Sequence, residues 1–574
     1  LFSQGDKGGA EASFRRVLAL KPDHVKACNN LGLALADLGR LAEAEAACRR
    51  ALAMQPGFVD AHYNLGNMLR DLGRPGEAEA CYRRALALKP DYADAFSNLG
   101  NVLRDLGRLD EAEACYRRAL EIDPGHADAL GNHGAVLLSL GRIDEAIDRY
   151  ERAIARKPDS VEAYKGLLSA ILYHPDLDPE AVFAIHRRFE ERLARPRYAR
   201  IRPHRNVPDP ERRLKIGYLS SDFRVHSVAR NLIPIFRGHD RSRFDIHCYA
   251  EVPRPDAMTG DFRALADGWR STVGLRDEEV AEAIRDDRID ILVCLAGRFD
   301  GNRLLVPAFK PAPVQVSYYD AATSGLDTMD YLLSDRVLTP RTTPERFTER
   351  PLCLPTFYVG EMPPDPPPVA SRNGPVVFGC LNNPAKITGP VLDLWMRVLR
   401  EVPGSLLLLK YLNWYETPSV RDRVLAAFDR HGLDRDRLRL PEAARSLHQH
   451  LALYNEIDIA LDPFPFSGST TTFEALLMGV PVVALRGRSM MGGWSAGMLQ
   501  GLGLAGLIAE TEGDYLALAT GLAADPDRRA ALRATLRDRV AASPLCDRTR
   551  KAGQIERFYR AVWRRWCAAQ VLSE

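Results

Sequence analysis

Residues 457–485 read IDIALDPFPFSGSTTTFEALLMGVPVVAL. IDIALD is a short β-rich run, and PFPFSGS is a loop stiffened by Pro463 and Pro465. TTTFEALLMG has a helical pattern that stops at Gly479, and PVVAL is β-rich again. A strand, a crossover helix and a second strand make one unit of a parallel sheet. The hydroxyls of Ser469, Thr470, Thr471 and Thr472 then fall at a helix N-terminus, at the carboxyl end of a strand. Free backbone N–H groups and the helix dipole favour an anion there. An ordinary N-cap needs one such hydroxyl; four in a row, with Gly468 allowing close approach, point to a phosphate.

The same alternation extends outward from this unit. VVFGCLN, SLLLLKYL and RLRLP precede it as strands with helices between them, giving a domain over 376–545. PPDPPPVASRNGP at 363–375 forms no core element and reads as a linker. Before it, LKIGYLS, FDIHCYA, IDILVCLA and PVQVSYY alternate with helical patterns such as DEEVAEAIRDDR, a second α/β domain over 212–362. Two doubly wound sheets leave a cleft between them, with ligands expected at the strand carboxyl ends. Residues 546–574 read as a helix packing back on this region. In LNNPAKITG, after the first strand of the second domain, Lys386 is a compact cation placed to reach the same phosphates. Glu474, near the first turn of the helix, can accept from ribose hydroxyls or simply complement the dipole. There is no GxxxxGK[ST], which excludes a P-loop, and no acidic pair of the DxD kind, so no metal is expected.

The first 158 residues have a different period. Pro22, Pro56, Pro90, Pro124 and Pro158 are 34 apart, as are Gly39, Gly73, Gly107 and Gly141, and Gly5 fits the same spacing. Segments such as AHYNLGNMLRDLGRPGEAEACYRRALALKPD read as helix, turn, helix, Pro stop. A 34-residue helix-turn-helix unit resembles the tetratricopeptide repeat, on whose pattern Leu65, Gly66, Ala78, Ala85 and Pro90 fall. Four full repeats, roughly 23–158, follow a partial one and build an α-solenoid with a concave groove. Asn30, Asn64, Asn98 and Asn132 recur with the period, and Asn67 and Asn101 add a shorter row. Amides in a groove can bond an extended peptide backbone, or they can bridge neighbouring repeats. A helical junction with a basic linker occupies 159–211.

Composition narrows the function classes. The 574 residues suffice for about three or four domains. Lys and Arg number 78 against 76 Asp and Glu, a net charge of +2, which argues against broad nucleic-acid binding. No apolar run of about 18 residues predicts a membrane span. Ten scattered Cys without a CxxC pair read as reduced thiols in a cytoplasmic protein. The chain begins at Leu1 inside an incomplete repeat, as a fragment of a longer protein would.

Repeats followed by GYLSSDFRVHSV, PAPVQV, TSGLDTMDY, FGCLNNPAKIT and LDPFPFSGSTTTFEALLMGVP resemble the protein O-GlcNAc transferase family over nearly the whole chain. NNPAKIT and STTT look closest to its SPINDLY branch, which transfers fucose from a GDP-sugar. The resemblance implies a GT-B fold of two Rossmann-like domains behind the repeats, and an inverting, metal-independent transfer from a nucleotide-sugar, UDP-GlcNAc or GDP-fucose, to protein Ser or Thr. It implies that Lys386 stabilises the diphosphate leaving group and that Thr470, Thr471 and Thr472 hold phosphates. It places Glu474 at the ribose, His450 beside the base, and Asn382 and Asn383 in the nucleotide pocket. His226 would come from the first domain to the sugar and acceptor side, as a base or a hydrogen bonder; it can equally be a capping or core histidine. The chain departs from the family where relatives carry His in LAGHT and it has Arg298, where GYPGT is replaced by the shorter SYYDAATSG, and where Gly493 stands near a usual Arg. Two other readings remain open: a GT-B transferase with a lipid or glycan acceptor, and a repeat scaffold whose GT-B part no longer turns over.

Overall fold

The structure is a computed structural model and describes residues 6–571, so Gly5 lies outside the described residues. It separates into two compact units, one made chiefly of the repeats and one holding both α/β domains with their helical junction.

In the first unit each repeat is a 13-residue helix followed by a 14-residue one, as in Val59–Asp71 with Pro75–Leu88 and Ala93–Asp105 with Leu109–Ile122. The turn between them needs a left-handed residue, and Gly73 and Gly107 supply it at φ 75° and 77°. The residue before each Pro closes the second helix: Gln55, Lys89 and Asp123 are the C-caps ahead of Pro56, Pro90 and Pro124. Close helix crossing is set by Gly66, where a Cβ would lie 2.7 Å from the buried Tyr82 ring. Stacking is reinforced by a ladder that the sequence reading did not anticipate. Arg74 pairs with Glu77 in its own helix and with Glu45 one repeat earlier. Arg108 repeats this with Glu111 and Glu79, and Arg142 with Glu145 and Glu113.

The second unit carries two all-parallel sheets. The first comprises β1 (Leu214–Ser220), β2 (Phe244–Ala250), β3 (Gly268–Ser271), β4 (Ile291–Leu295), β5 (Val314–Tyr318), β6 (Tyr331–Asp335) and β7 (Arg350–Leu354), ordered β3-β2-β1-β4-β5-β6-β7. The second comprises β8 (Val377–Cys380), β9 (Leu406–Leu409), β10 (Leu438–Arg439), β11 (Ile459–Leu461), β12 (Val482–Leu485) and β13 (Ile508–Ala509), ordered β10-β9-β8-β11-β12-β13. Both orders reverse beside their first strand, the arrangement of nucleotide-binding α/β sheets. Four strands were not anticipated: β3 and β13 are very short, β7 opens on Arg-Pro at a sheet edge, and β6 is a brief run between Asp330 and Asp335.

The last helix, Arg548–Val571, returns to the first sheet. Its Tyr559 hydroxyl meets that of Tyr218 on β1 at 3.0 Å, and Glu556 accepts from His239 and the Asp240 N–H. Among the described residues no helix is long and apolar enough to cross a membrane.

Gly66→Ala should force the buried Tyr82 ring to shift, costing about 1–3 kcal/mol of repeat stability. Denaturant unfolding followed by circular dichroism reads this as a lowered midpoint; an unchanged midpoint would mean that the crossing is not set by contact at Gly66.

Candidate active site

The two reversals put specific loops side by side. At β8/β11 the loops Leu381–Thr388 and Asp462–Ser469 meet; at β1/β4 the loops Ser221–His226 and Ala296–Asn302 meet. A cleft of about 510 Å³ between the two domains is lined by Arg230, Asn231 and Tyr358 on one side and by Thr470, Phe473 and Glu474 on the other.

The hydroxyl row opens the helix Thr470–Leu477, with Ser469 as a cap residue that makes no side-chain capping bond. Thr471 donates to Asn382 Oδ1 at 2.7 Å, joining the two loops of the reversal. Thr472 meets Ser495 Oγ at 2.8 Å, and Thr470 and Tyr358 both line the cleft. Gly468 has no room for a side chain: a Cβ would lie 2.3 Å from Thr472 Oγ1 and 2.7 Å from Asp462 Oδ1. Asn383 caps the short turn Pro384–Lys386 through the Ala385 N–H. That turn aims Lys386 Nζ at the Ser467 carbonyl, 2.8 Å away, and over the Phe466 ring at 4.2 Å. Burial pushes the Lys386 ammonium below its ordinary range, and the charge of Asp462 works against that. Burial likewise pushes Asp462 up, against the Gly468 N–H bond and the Lys386 charge. Asp462 Oδ2 is buried without a hydrogen-bond partner.

Glu474 is 6% exposed and holds three partners. His450 Nε2 lies at 3.0 Å, the Tyr454 hydroxyl donates at 3.4 Å, and Arg230 donates from the first domain at 3.3 Å. Lys410, at the end of β9, stands 3.1 Å from His450 Nδ1. The chain thus brings Asn382, Asn383, Lys386, His450, Ser469, Thr470, Thr471, Thr472 and Glu474 to one seam.

His226 faces that seam from the other domain. It caps the helix Ser227–Gly238, with Nδ1 accepting from the Val228 N–H at 3.3 Å, while Nε2 lies 3.3 Å from Asp300 Oδ2. Burial works to lower the imidazole, but the Asp300 hydrogen bond and the charges of Asp222 and Asp300 outweigh it and hold His226 above the ordinary histidine value. Asp222, His226 and Asp300 are the one group of three whose ligand atoms lie within 4.8 Å among the described residues. These atoms already have protein partners: Asp222 accepts from Ser221 and Asn302, and both His226 nitrogens are engaged.

Arg298 lies away from the open cleft. It is 2% exposed and donates to Asp320 at 2.7 Å, to the Thr323 carbonyl at 2.7 Å, and to His186 of the junction. Burial and the Arg298 charge hold His186 down to about 3, so it stays a neutral acceptor. Arg298 and the shortened 318–325 stretch are therefore one packing unit. At Gly493, a Cβ would come within 3.1 Å of Leu338, so this position packs against the first domain.

In the repeat unit, Asn64 is buried and donates to Asn29 at 2.9 Å. Asn98 donates to Asn67 and to the Tyr63 hydroxyl, and Tyr116 donates to Asn101. Asn30 is half-buried and accepts from Asn29, and Asn132 is half-buried. Several of these amides bridge neighbouring repeats.

A family profile described as glycosyl transferase family 41 matches residues 193–363 and 370–555. The chain belongs to glycosyl transferase family 41. Tetratricopeptide profiles match this family 41 chain at 1–57, 57–124 and 91–159. It is 36% identical over 426 residues to a protein of Petunia hybrida named probable UDP-N-acetylglucosamine–peptide N-acetylglucosaminyltransferase SPINDLY, covering 72% of this chain and 46% of that one. It is 28% identical over 375 residues to the Arabidopsis thaliana SEC protein of the same named activity, covering 62% and 38%. The chain spans about half the length, or less, of these curated relatives. A solved structure of a Thermobaculum terrenum O-GlcNAc transferase mutant superposes with a TM-score of 0.85 at 35% identity, covering 92% of this chain and 99% of that one.

Four charged residues of the site escaped the sequence reading. Asp462 directly follows β11, and a carboxylate just after an apolar strand was the available signal. Lys410 directly follows β9 in the same way. Arg230 and Asp300 sit among other charges in sequence and gave no signal; only folding brings them to the cleft.

Arg298→Met should leave Asp320 buried without its cation and cost about 3–5 kcal/mol. Arg298→Met with Asp320→Ala should recover part of that loss. Thermal unfolding of both variants checks this, and a single variant as stable as wild type would show that the pair does not hold the loop.

Proposed function

We propose that the chain is an inverting glycosyltransferase that moves a sugar from a nucleotide-sugar to Ser or Thr hydroxyls of proteins. The observation that carries this reading is the half-buried cation Lys386, set beside a hydroxyl-rich helix start and over the same Phe466 ring that Phe299 of the first domain meets. A diphosphate leaving group develops negative charge as the glycosidic bond breaks, and fixed donors placed where that charge appears lower the barrier. Lys386 exchanges its Ser467 carbonyl partner for a phosphate oxygen, and the N–H groups and hydroxyls of 469–472 complete the cradle. That supply of positive charge lets the reaction run without a metal. Glu474 and His450 take the ribose and base side, next to Asn382 and Asn383. An attacking hydroxyl must lie opposite the leaving group, and in this reading the His226–Asp300 pair of the first domain serves that side.

The named activities of the relatives favour UDP-GlcNAc as donor, while the resemblance of NNPAKIT and STTT to the SPINDLY branch favours GDP-fucose. Protein substrates are held by the repeats, with Asn30, Asn98 and Asn132 as backbone-binding amides. The ten unpaired cysteines suit a reducing, cytoplasmic setting.

Lys386→Ala should abolish transfer and remove the thermal stabilisation given by UDP, GDP or their sugars, with the unliganded melting curve little changed. Near-full turnover in this variant would sink the leaving-group role. A pH dependence follows from the buried pair. Lys386 binds a diphosphate only when protonated, and burial lowers its proton affinity, so nucleotide affinity should weaken as pH rises while still below the ordinary lysine value of 10.5. Asp462 raises that affinity, so Asp462→Asn should move the loss to lower pH. Titration calorimetry across pH tests this, and a shift to higher pH would contradict the coupling.

A further inference from the structure

We propose that Asp300, rather than His226, takes the proton from the acceptor hydroxyl, with His226 positioning its carboxylate. This rests on the transferase reading above. The first observation is the state of the His226 ring. Nδ1 accepts the Val228 N–H at 3.3 Å, which puts the ring hydrogen on Nε2, and Nε2 points at Asp300 Oδ2 3.3 Å away. A neutral imidazole so arranged has no lone pair left for a substrate, and an imidazolium has none at all. As it sits, His226 donates through Nε2 and accepts the Val228 N–H through Nδ1, which leaves nothing to accept a substrate proton.

Asp300 has what the ring lacks. Its side chain is 41% accessible, and a carboxylate has lone pairs to spare after one hydrogen bond. Its backbone is held in the left-handed region at φ 50°, and Lys165 Nζ donates to its carbonyl at 2.7 Å. A non-glycine residue fixed there costs energy and is retained where its placement matters. The neighbouring Phe299 ring packs on Phe466 at 6.5 Å, and Lys386 lies over that same Phe466. Tyr411, from the loop after β9, feels both sides: burial and then the Asp300 charge hold its phenol up, and the Asn383 amide works against them. Asp300 therefore faces the stretch of cleft where Lys386 would meet the diphosphate.

An acceptor oxygen lone pair forms the new bond to the anomeric carbon as its proton passes to an Asp300 oxygen. The bond from the anomeric carbon to the diphosphate breaks, and its electron pair leaves on the phosphate oxygen facing Lys386. The His226 hydrogen bond holds Asp300 below the usual carboxylate range, so it stays ionised and takes the proton late, once the hydroxyl has become acidic. The charged and titratable groups facing Asp300 are His226, Arg224 and Asp222 after β1, Lys165 of the junction helix, and the phenols of Tyr173 and Tyr411.

The test compares Asp300→Asn and His226→Asn with wild type in the full chain. Nucleoside diphosphate release from UDP-GlcNAc and GDP-fucose is measured with a pool of Ser- and Thr-containing peptides, across pH, beside nucleotide affinity. Asn tolerates a left-handed backbone and still accepts from His226, so the fold should survive. Asp300→Asn should lower kcat by about 10²–10⁴-fold with nucleotide affinity kept, and formate should restore part of the activity of Asp300→Ala. His226→Asn keeps the helix cap and should lose less, and the wild-type acid limb should lie below the usual carboxylate range. Near-wild-type kcat in Asp300→Asn, or an acid limb at or above the ordinary histidine value of 6.5 that His226→Asn removes, would overturn the proposal while leaving the transferase reading standing. No turnover by wild type with either donor would overturn both.

Discussion

A parallel sheet whose strand order reverses cannot close its carboxyl edge. At the reversal the flanking connections run to opposite faces, and a crevice is left between them. Both sheets of this chain reverse beside their first strand, at β1/β4 and at β8/β11. The candidate site is built almost wholly from the loops that leave those four strands. Lys386 follows β8 and Asp462 follows β11; Asp222 and His226 follow β1 and Asp300 follows β4. Topology therefore sets one cation-bearing seam and one carboxylate-bearing seam before any side-chain contact is considered.

The seam of the second domain is tuned by burial. Asp462 and Lys386 oppose each other's shifts, so neither charge is fully stabilised in the unliganded protein. The Lys386–Ser467 contact and the Arg230–Glu474 contact occupy groups that the proposed nucleotide-sugar donor would use. A ligand with two phosphates and a ribose can replace both sets of partners. The helix start adds backbone donors, and Gly468 keeps the approach clear because any side chain there would strike Thr472 and Asp462.

Local pattern made part of this legible. The 34-residue period specified the repeats, down to the left-handed glycines at 73 and 107. Long β-rich runs such as LKIGYLS and FDIHCYA coincide with β1 and β2 to the residue. The hydroxyl row and Lys386 were visible because their loops follow such runs. Less legible were features whose meaning depends on distant partners. Arg298 reads in sequence as a departure from the family pattern, yet it is a buried anchor for Asp320 and His186. Its partner Asp320 lies in the 318–325 stretch, so the two stretches pack as one unit. The repeat asparagines show the same limit: a row spaced for a groove also bridges adjacent helices, as Asn64 does with Asn29. Asp300 and Arg230 became visible only once the two domains faced each other.

The proposed donor seats its diphosphate at the β8/β11 seam. The most direct measurement is amide hydrogen exchange of the full chain with and without UDP or GDP. Protection should appear in 382–387 and in 467–474, where the Lys386 turn and the helix start close on the phosphates. Protection confined to other segments, or none with either nucleotide at saturating concentration, would contradict the assignment of this seam as the donor site.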